Sequence, residues 1–247
     1  MIKLSKRMSA VASMVTPGNV LADVGTDHGY VPIALVQKGK IPKAIAMDVN
    51  IGPLMRANEH IAKCQLEEYI QTRLSDGVEA LKVGEVDSIL IAGMGGDLVI
   101  RILQNGHQVC RTVKELILQP QSELKRVREF LREYNYKIVD EDMILEDGKY
   151  YPMMKVIPVE VDVFWKDKPE EIIEPCDMYG PLLIKNGNPV LRKFLVKQHN
   201  QLNGILEWLK KQPDSENIIK RRNEVLEAIL INESAYTILG EIKDAGI

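Results

Sequence analysis

The apolar run Val20-Leu21-Ala22-Asp23 breaks into the turn Val24-Gly25-Thr26-Asp27-His28-Gly29-Tyr30 and then into an amphipathic segment. Glycines at 25 and 29 let a ligand approach the backbone, and the helix start that follows offers unpaired N–H donors. Charge narrows the ligand. Two carboxylates in one turn, Asp23 and Asp27, would repel a pyrophosphate but suit a molecule bringing an amino group and a sulfonium cation, as S-adenosylmethionine does. A second apolar run ends in Asp48, where a carboxylate can accept both hydroxyls of a ribose. Dinucleotide sites share that feature, so Asp48 indicates a ribose without naming the cofactor. Asp76 and Gly77 follow a third run, where an adenine amino group would seek an acceptor, although Asp-Gly also makes an ordinary turn. After a fourth come Ala92-Gly93-Met94-Gly95-Gly96-Asp97, and three glycines in so short a span imply a close backbone approach, because glycine loses the most entropy on folding.

These residues need a scaffold that brings strand ends together. Short apolar runs at Val20 to Asp23, Ala44 to Met47, Ile70 to Leu74, Ser88 to Ala92 and Glu115 to Leu118 alternate with amphipathic segments at Val31 to Gln37, Pro53 to Cys64, Asp97 to Gln104 and Glu123 to Tyr134. That alternation predicts a parallel, helix-covered sheet with its ligand crevice at the strand carboxyl ends. Tyr136 to Leu145 and Lys149 to Val159 flank Glu146-Asp147-Gly148 with no helix between them, so the sheet is expected to finish with an antiparallel strand. Ahead of the first strand, Leu4, Met8, Val11, Ala12 and Val15 share one helical face, with Ser5 as cap and Pro17-Gly18 as stop.

Past Pro158 the texture changes, which sets the expected boundary: residues 1–158 as a cofactor-binding catalytic domain, 159–247 as a helical one. Pro169, Pro175, Pro181 and Pro189 argue against regular structure at first. Leu195, Gln198, Leu202, Ile205 and Leu209, then Ile218, Arg222, Val225 and Ile229, repeat at spacings of 3 and 4 on either side of a turn at Pro213. They predict a helical hairpin, a short antiparallel coiled coil, that needs further packing.

Composition sets outer bounds. With 45% apolar and 27% charged residues the 247-residue chain is ordinary globular material. No apolar run approaches the ~20 residues of a membrane span, and the amino terminus lacks a secretory leader, so a cytoplasmic protein is expected. Cys64, Cys110 and Cys176 fit neither a disulfide framework nor a zinc site, and the four histidines lack ligand spacing, so no metal is expected. The net charge of -3 hides a split: residues 1–158 hold 20 basic against 20 acidic side chains, and 159–247 hold 12 against 15. An anionic partner should therefore meet the first part.

Taken in order, Leu4-Ser5-Lys6-Arg7, Ala22 through Tyr30, Ile91 through Gly96 and Ile117-Leu118-Gln119-Pro120-Gln121 resemble the bacterial tRNA (adenine-22-N1)-methyltransferase family. The likeness spans nearly all of the first domain, and the helical tail is similar to that family's coiled-coil extension. It implies an α/β, Rossmann-like class I methyltransferase sheet, S-adenosylmethionine as cofactor and methyl transfer to N1 of an adenine in the D-arm region of tRNA. Ala92-Gly93-Met94-Gly95 stands where many amino-methyltransferases carry an Asn/Asp-Pro-Pro-aromatic block.

The expected cofactor-binding set is Asp23, Gly25, Thr26, Asp27, Gly29, Asp48, Asp76, Gly77, Ala92, Gly93 and Met94. N1 has a ring-plane lone pair, so alignment and desolvation matter more than proton removal, and the base must leave its stack to be reached. Tyr30 is the candidate stacking platform for it, or a hydrogen-bond partner of the base, with Asp27 and His28 as candidates for contacting the methionine end, orienting the adenine amino group or accepting a proton from the product. Lys6, Arg7, Lys125 and Arg126 are candidate tRNA-phosphate ligands, together with Arg128 and Arg132, although ion pairs within that last helix compete. A monomer is expected. The rival readings are a methyltransferase with another substrate, a non-catalytic RNA or protein adaptor, and an NAD-linked oxidoreductase.

Overall fold

The computed structural model describes residues 2–162, 165 and 168–244, which divide into two compact units, residues 1–164 and 165–247. In the first, β1 (Leu21–Val24), β2 (Ala44–Asp48), β3 (Ile70–Leu74), β4 (Ser88–Met94) and β5 (Glu115–Pro120) form a parallel array, joined by β6 (Tyr136–Glu146) and β7 (Lys149–Pro158). The spatial order is β3-β2-β1-β4-β5-β7-β6. The antiparallel strand is the last in sequence, as expected, but it inserts between β5 and β6 instead of closing the edge. A two-residue turn permits this: Asp147 and Gly148 both adopt positive φ, 49° and 75°, which folds β7 straight back along β6.

The central strands β1, β2, β4 and β5 are largely apolar because both faces are covered, whereas β3 and β6 at the sheet edges carry exposed polar residues such as Gln71 and Lys137. Ala22, Val24, Ile45, Met47, Ile89, Ile91, Leu116 and Leu118 pack with α4 (Gly96–Asn105) and α6 (Leu124–Glu133). The alternate residues Leu21, Ala44, Ala46, Leu90 and Ile117 pack with α1 (Lys6–Met14), α2 (Tyr30–Gln37) and α3 (Ile51–Lys63). The short α5 (His107–Cys110) completes the first layer. Ser5 caps α1 by accepting from the Met8 N–H, and the Glu146 carboxylate accepts from the N–H groups of Lys6 and Arg7, pinning the start of α1 to the end of β6.

In the second unit the proline-rich stretch is helical, a correction to the sequence expectation. Pro181 and Pro189 occupy first-turn positions of α8 (Pro181–Lys185) and α9 (Pro189–Lys210), and Pro169 precedes α7 (Glu170–Tyr179). A first-turn proline sacrifices no intrahelical bond. Among the described residues of this unit, Pro175 alone lies beyond the first turn of a helix. α9 pairs with α10 (Glu216–Asp244) through Leu206, Leu209, Val225 and Ile229, flanked by Leu202 and Ile218. Ile205 leaves the expected seam and is exposed, because the stripe steps by 4 and then 3 from Leu202 to Leu206 to Leu209. α7 and α8 also pack on α10, supplying the cover that a bare helix pair lacks.

Candidate functional site

The carboxyl ends of β1, β2 and β4 lie side by side, with Val24 registered against Met47 and Ile91. Gly25 and Thr26 both donate to the Met47 carbonyl at 2.8 Å, so the turn folds back over the tip of β2. Asp23 points into this tip, 8% exposed, and among the described residues it has no ion-pair partner. Burial pushes its carboxyl up to about 6. The Thr26 hydroxyl, buried without a well-formed hydrogen bond, pulls it part of the way back, and the nearby Asp48 raises it further. A buried acid with its pKa raised in this way, at a strand tip, is a candidate partner for a cationic group.

Asp48 ends β2, half-buried, and accepts the Asn50 N–H at 2.8 Å; its neighbour in register is Leu74. Val49 and Leu74 stand exposed at these adjacent tips, two apolar walls that sequence pattern did not single out. Asp76 is exposed and 3.8 Å from Arg101. Gly77 has a packing reason of its own, since a Cβ there would stand 2.9 Å from Ile102.

At the other side of the crevice, β4 loses register with β5 between Ala92 and Met94, a bulge centred on Gly93. Gly93 holds φ +81°, and a Cβ built on it would meet the Arg7 guanidinium at 3.5 Å and the Gln121 amide at 3.6 Å. Gly25 holds φ +77°, and a Cβ there would collide with the Met94 ε-methyl at 2.3 Å. Backbone conformation therefore favours glycine at both tips, and at Gly25 a side chain would also have to displace the flexible end of Met94. Gly29 caps α2 where that helix packs on Ala57 of α3.

Asp27, His28 and Tyr30 do come together. Asp27 binds Arg56 at 2.6 Å and His28 Nε2 at 3.1 Å. The Tyr30 ring stacks on His28 and on His60 with centroids 5.1 and 4.9 Å apart, and the two imidazoles lie tilted to each other at 5.6 Å. Those distances close a near-equilateral triangle, so both imidazoles lie toward one side of Tyr30, which remains 41% exposed. Sequence reasoning missed Arg56 and His60; their i, i+4 spacing on one face of α3 was the available signal. The Arg56 pair also engages the Asp27 charge, leaving Asp23 as the uncompensated acid of the turn.

The basic candidates divide. Arg7 turns inward, donating to Gln119 Oε1 at 3.0 Å with its guanidinium over the Tyr151 ring. Lys6 is exposed and donates to the Leu145 carbonyl. Lys125 lies 4.0 Å from Glu129 and Arg126 2.6 Å from Asp97. Arg128 is a correction: it is buried and paired with the buried Glu141 at 3.1 Å, a structural bond between α6 and β6.

In the second unit a cavity of about 400 Å³ opens between α9 and α10, lined by residues including His199, Asn200, Asn232 and Tyr236. Arg192 lies over the Tyr236 ring. From Met178 to Leu206 the sequence has no Asp or Glu but carries Lys185, Arg192, Lys193 and Lys197, in a unit that is otherwise acidic.

Residues 4–154 match the model of a methyltransferase domain. The tRNA (adenine(22)-N(1))-methyltransferase of Bacillus subtilis is 33% identical over 226 residues, 92% of this chain and 94% of that one. The chain belongs to this family. A putative tRNA (m1A22) methyltransferase from Streptococcus pneumoniae, solved with S-adenosyl-L-methionine, superposes with a TM-score of 0.79 at 32% identity, covering 95% of this chain and all of that one. M. capricolum TrmK, solved with S-adenosyl-homocysteine, gives 0.80 at 29% identity over 96% and 99% of the two chains. Family membership thus extends over both units, the helical one included.

Proposed function

We propose that this protein transfers the methyl group of S-adenosylmethionine to N1 of adenine 22 in tRNA. The observation that carries the reading is Asp23, a buried carboxylate at the tip of the central strand with no ion-pair partner among the described residues. The donor set fits the cofactor. Asp23 suits its amino group, Asp48 the ribose hydroxyls and Asp76 the adenine amino group, with Gly25, Thr26, Gly29 and Gly77 shaping the wall. Ala92, Gly93 and Met94 then border the reacting end.

When bound, the sulfonium supplies the methyl: the N1 lone pair forms the new C–N bond as the C–S bond breaks, and no proton has to leave. The chain's own work is placement and exclusion of water. Tyr30 offers an exposed ring face to the extruded base, with His28 and His60 bracing the ring from one side. Asp27, held by Arg56, fixes the turn that carries His28.

For tRNA, Lys6 borders the crevice beside the inward-turned Arg7, Lys125 and Arg126 add weaker positive surface, and Arg192, Lys193 and Lys197 lie on a stretch of α9 without acidic residues. Such contacts neutralise phosphate without reading sequence, as suits recognition of RNA by shape. Incubation with methyl-labelled S-adenosylmethionine and total tRNA, followed by nucleoside analysis, tests the reading. Label in 1-methyladenosine at position 22 is expected; label in another nucleoside, or none, rejects it.

A further inference from the structure

Between Arg7, Gln119 and Gln121, at the tips of β4 and β5, two carboxamides and a guanidinium meet, and their placements differ in a way that separates their roles. Gln119 is fully buried; its Oε1 receives Arg7 at 3.0 Å and its Nε2 donates to the Pro120 carbonyl at 3.2 Å. Its hydrogen bonds are spent within the protein, so Gln119 positions Arg7. Gln121 is exposed. Its backbone N–H is fixed to the Met94 carbonyl at 2.8 Å, and its side-chain amide makes no hydrogen bond among the described residues. Both groups border Gly93: a Cβ built there would touch that amide at 3.6 Å and the Arg7 guanidinium at 3.5 Å.

A free carboxamide at this place has a chemical counterpart. Adenine shows a donor and an acceptor, the N6 amino group and N7, on one edge, and a carboxamide pairs with both at once. Guanine shows two acceptors there and cannot pair in the same way. An adenine held by N6 and N7 keeps N1 unengaged. We propose that Gln121 is the adenine-selecting residue of this site, its carboxamide taking N6 and N7 of the target base while Arg7, braced by Gln119 and Tyr151, holds the adjoining polar edge of the pocket. The proposal rests on the functional reading above and adds to it the group that chooses the base.

Methylation of a tRNA transcript with adenosine at position 22 is compared with one carrying 7-deazaadenosine, which lacks the N7 acceptor. The enzymes are wild type, Gln121→Ala and Gln121→Glu, with cofactor affinity measured by calorimetry. Gln121→Ala should lower kcat/KM on the adenosine transcript by about 10- to 100-fold, the range of a lost bidentate contact, with cofactor affinity within about twofold. Gln121→Glu should lose as much, because a carboxylate accepts from N6 but repels the N7 lone pair. The deaza substitution should slow wild type by about fivefold or more and leave Gln121→Ala unaffected, since that partner is already gone. A Gln121→Ala enzyme within twofold of wild type, or one that suffers the same deaza penalty, overturns the proposal. Wild type that forms no 1-methyladenosine on the adenosine transcript instead overturns the functional reading, and the base selector with it.

Discussion

Two buried carboxylates sit at opposite ends of the same sheet and have opposite surroundings. Glu115, at the amino end of β5, is 4% exposed; it accepts from the Thr16 N–H and the Ser88 hydroxyl and pairs with Lys155 at 3.0 Å. Burial alone would push its carboxyl up, but those partners outweigh it and hold the group below the usual range. Asp23, at the carboxyl end of β1, is buried to nearly the same degree, has no cation beside it among the described residues, and is pushed up to about 6. The amino end of the sheet is satisfied by the protein itself. At the carboxyl end Asp23 has no such partner among the described residues, and that is where the proposed function seats the cationic end of the cofactor.

The sharpest way to break this contrast is Asp23→Asn. Truncating one partner of a buried charged contact costs about 2–5 kcal/mol, so cofactor affinity should fall by about 30-fold or more. The free protein should respond in the other direction. A folded-state pKa above the unfolded value means the ionised carboxylate destabilises the fold, a penalty absent at acid pH and fully present above about 6. For a carboxyl raised from the ordinary aspartate range to about 6, that penalty is roughly 3 kcal/mol at pH 8, and Asp23→Asn should relieve it. Calorimetric binding and melting, both at pH 8, check the two halves; a variant that binds cofactor normally would remove Asp23 from the site. In wild type, cofactor affinity should fall as pH drops below about 6, because binding a cation there requires the ionised acid.

Glu115→Ala should do the reverse. Removing one side of a buried pair costs roughly 3 kcal/mol or more, leaving Lys155 uncompensated, while cofactor affinity measured on the folded protein stays within about twofold. The sign with pH also inverts. A depressed carboxyl contributes stability above its unfolded value and loses it as pH falls, so the gap between wild type and Glu115→Ala should narrow in acid. A Glu115→Ala protein that melts like wild type would mean that the network at the amino end contributes nothing.

The same contrast explains which parts of the molecule could be read in advance. Strand tips were legible because their signals are local: an apolar run ending in an acid, or glycines crowded into one turn, as at Asp23, Asp48 and Gly93. The helix prolines were misread because proline's effect depends on position within a turn, and Pro181 and Pro189 fall where it is harmless. Gln119 and Gln121 belong to a recognisable motif but show no role in sequence, since a neutral carboxamide carries no charge or periodicity. Only the placement of α1 beside β5 brings Arg7 to them, across more than a hundred residues of sequence. Arg128 shows the converse, a cation on a helix that looked solvated until β6 supplied the buried Glu141.

Within the crevice, Tyr30 sets a smaller expected effect. Stacking of a base on an aromatic ring is worth about 1–3 kcal/mol, so Tyr30→Ala should slow methylation by about tenfold or more while cofactor binding persists, and Tyr30→Phe should recover most of the rate. Loss of rate in Tyr30→Phe equal to that in Tyr30→Ala would assign the hydroxyl, not the ring, as the working group.

The smallest effect is also the most discriminating for Asp27, whose carboxylate is 64% exposed and shared between Arg56 and His28. Exposed ion pairs contribute about 1 kcal/mol at most, so Arg56→Ala should barely move the melting temperature. Its value lies in what it releases. If Asp27 meets the cationic cofactor, Arg56 competes for the same charge, and removing it should tighten cofactor binding by about two- to fivefold. If Asp27 only shapes the turn, affinity should stay level or weaken as His28 loses its anchor. Calorimetry on Arg56→Ala, with Asp27→Asn beside it, therefore decides whether the turn brings one carboxylate to the ligand or two.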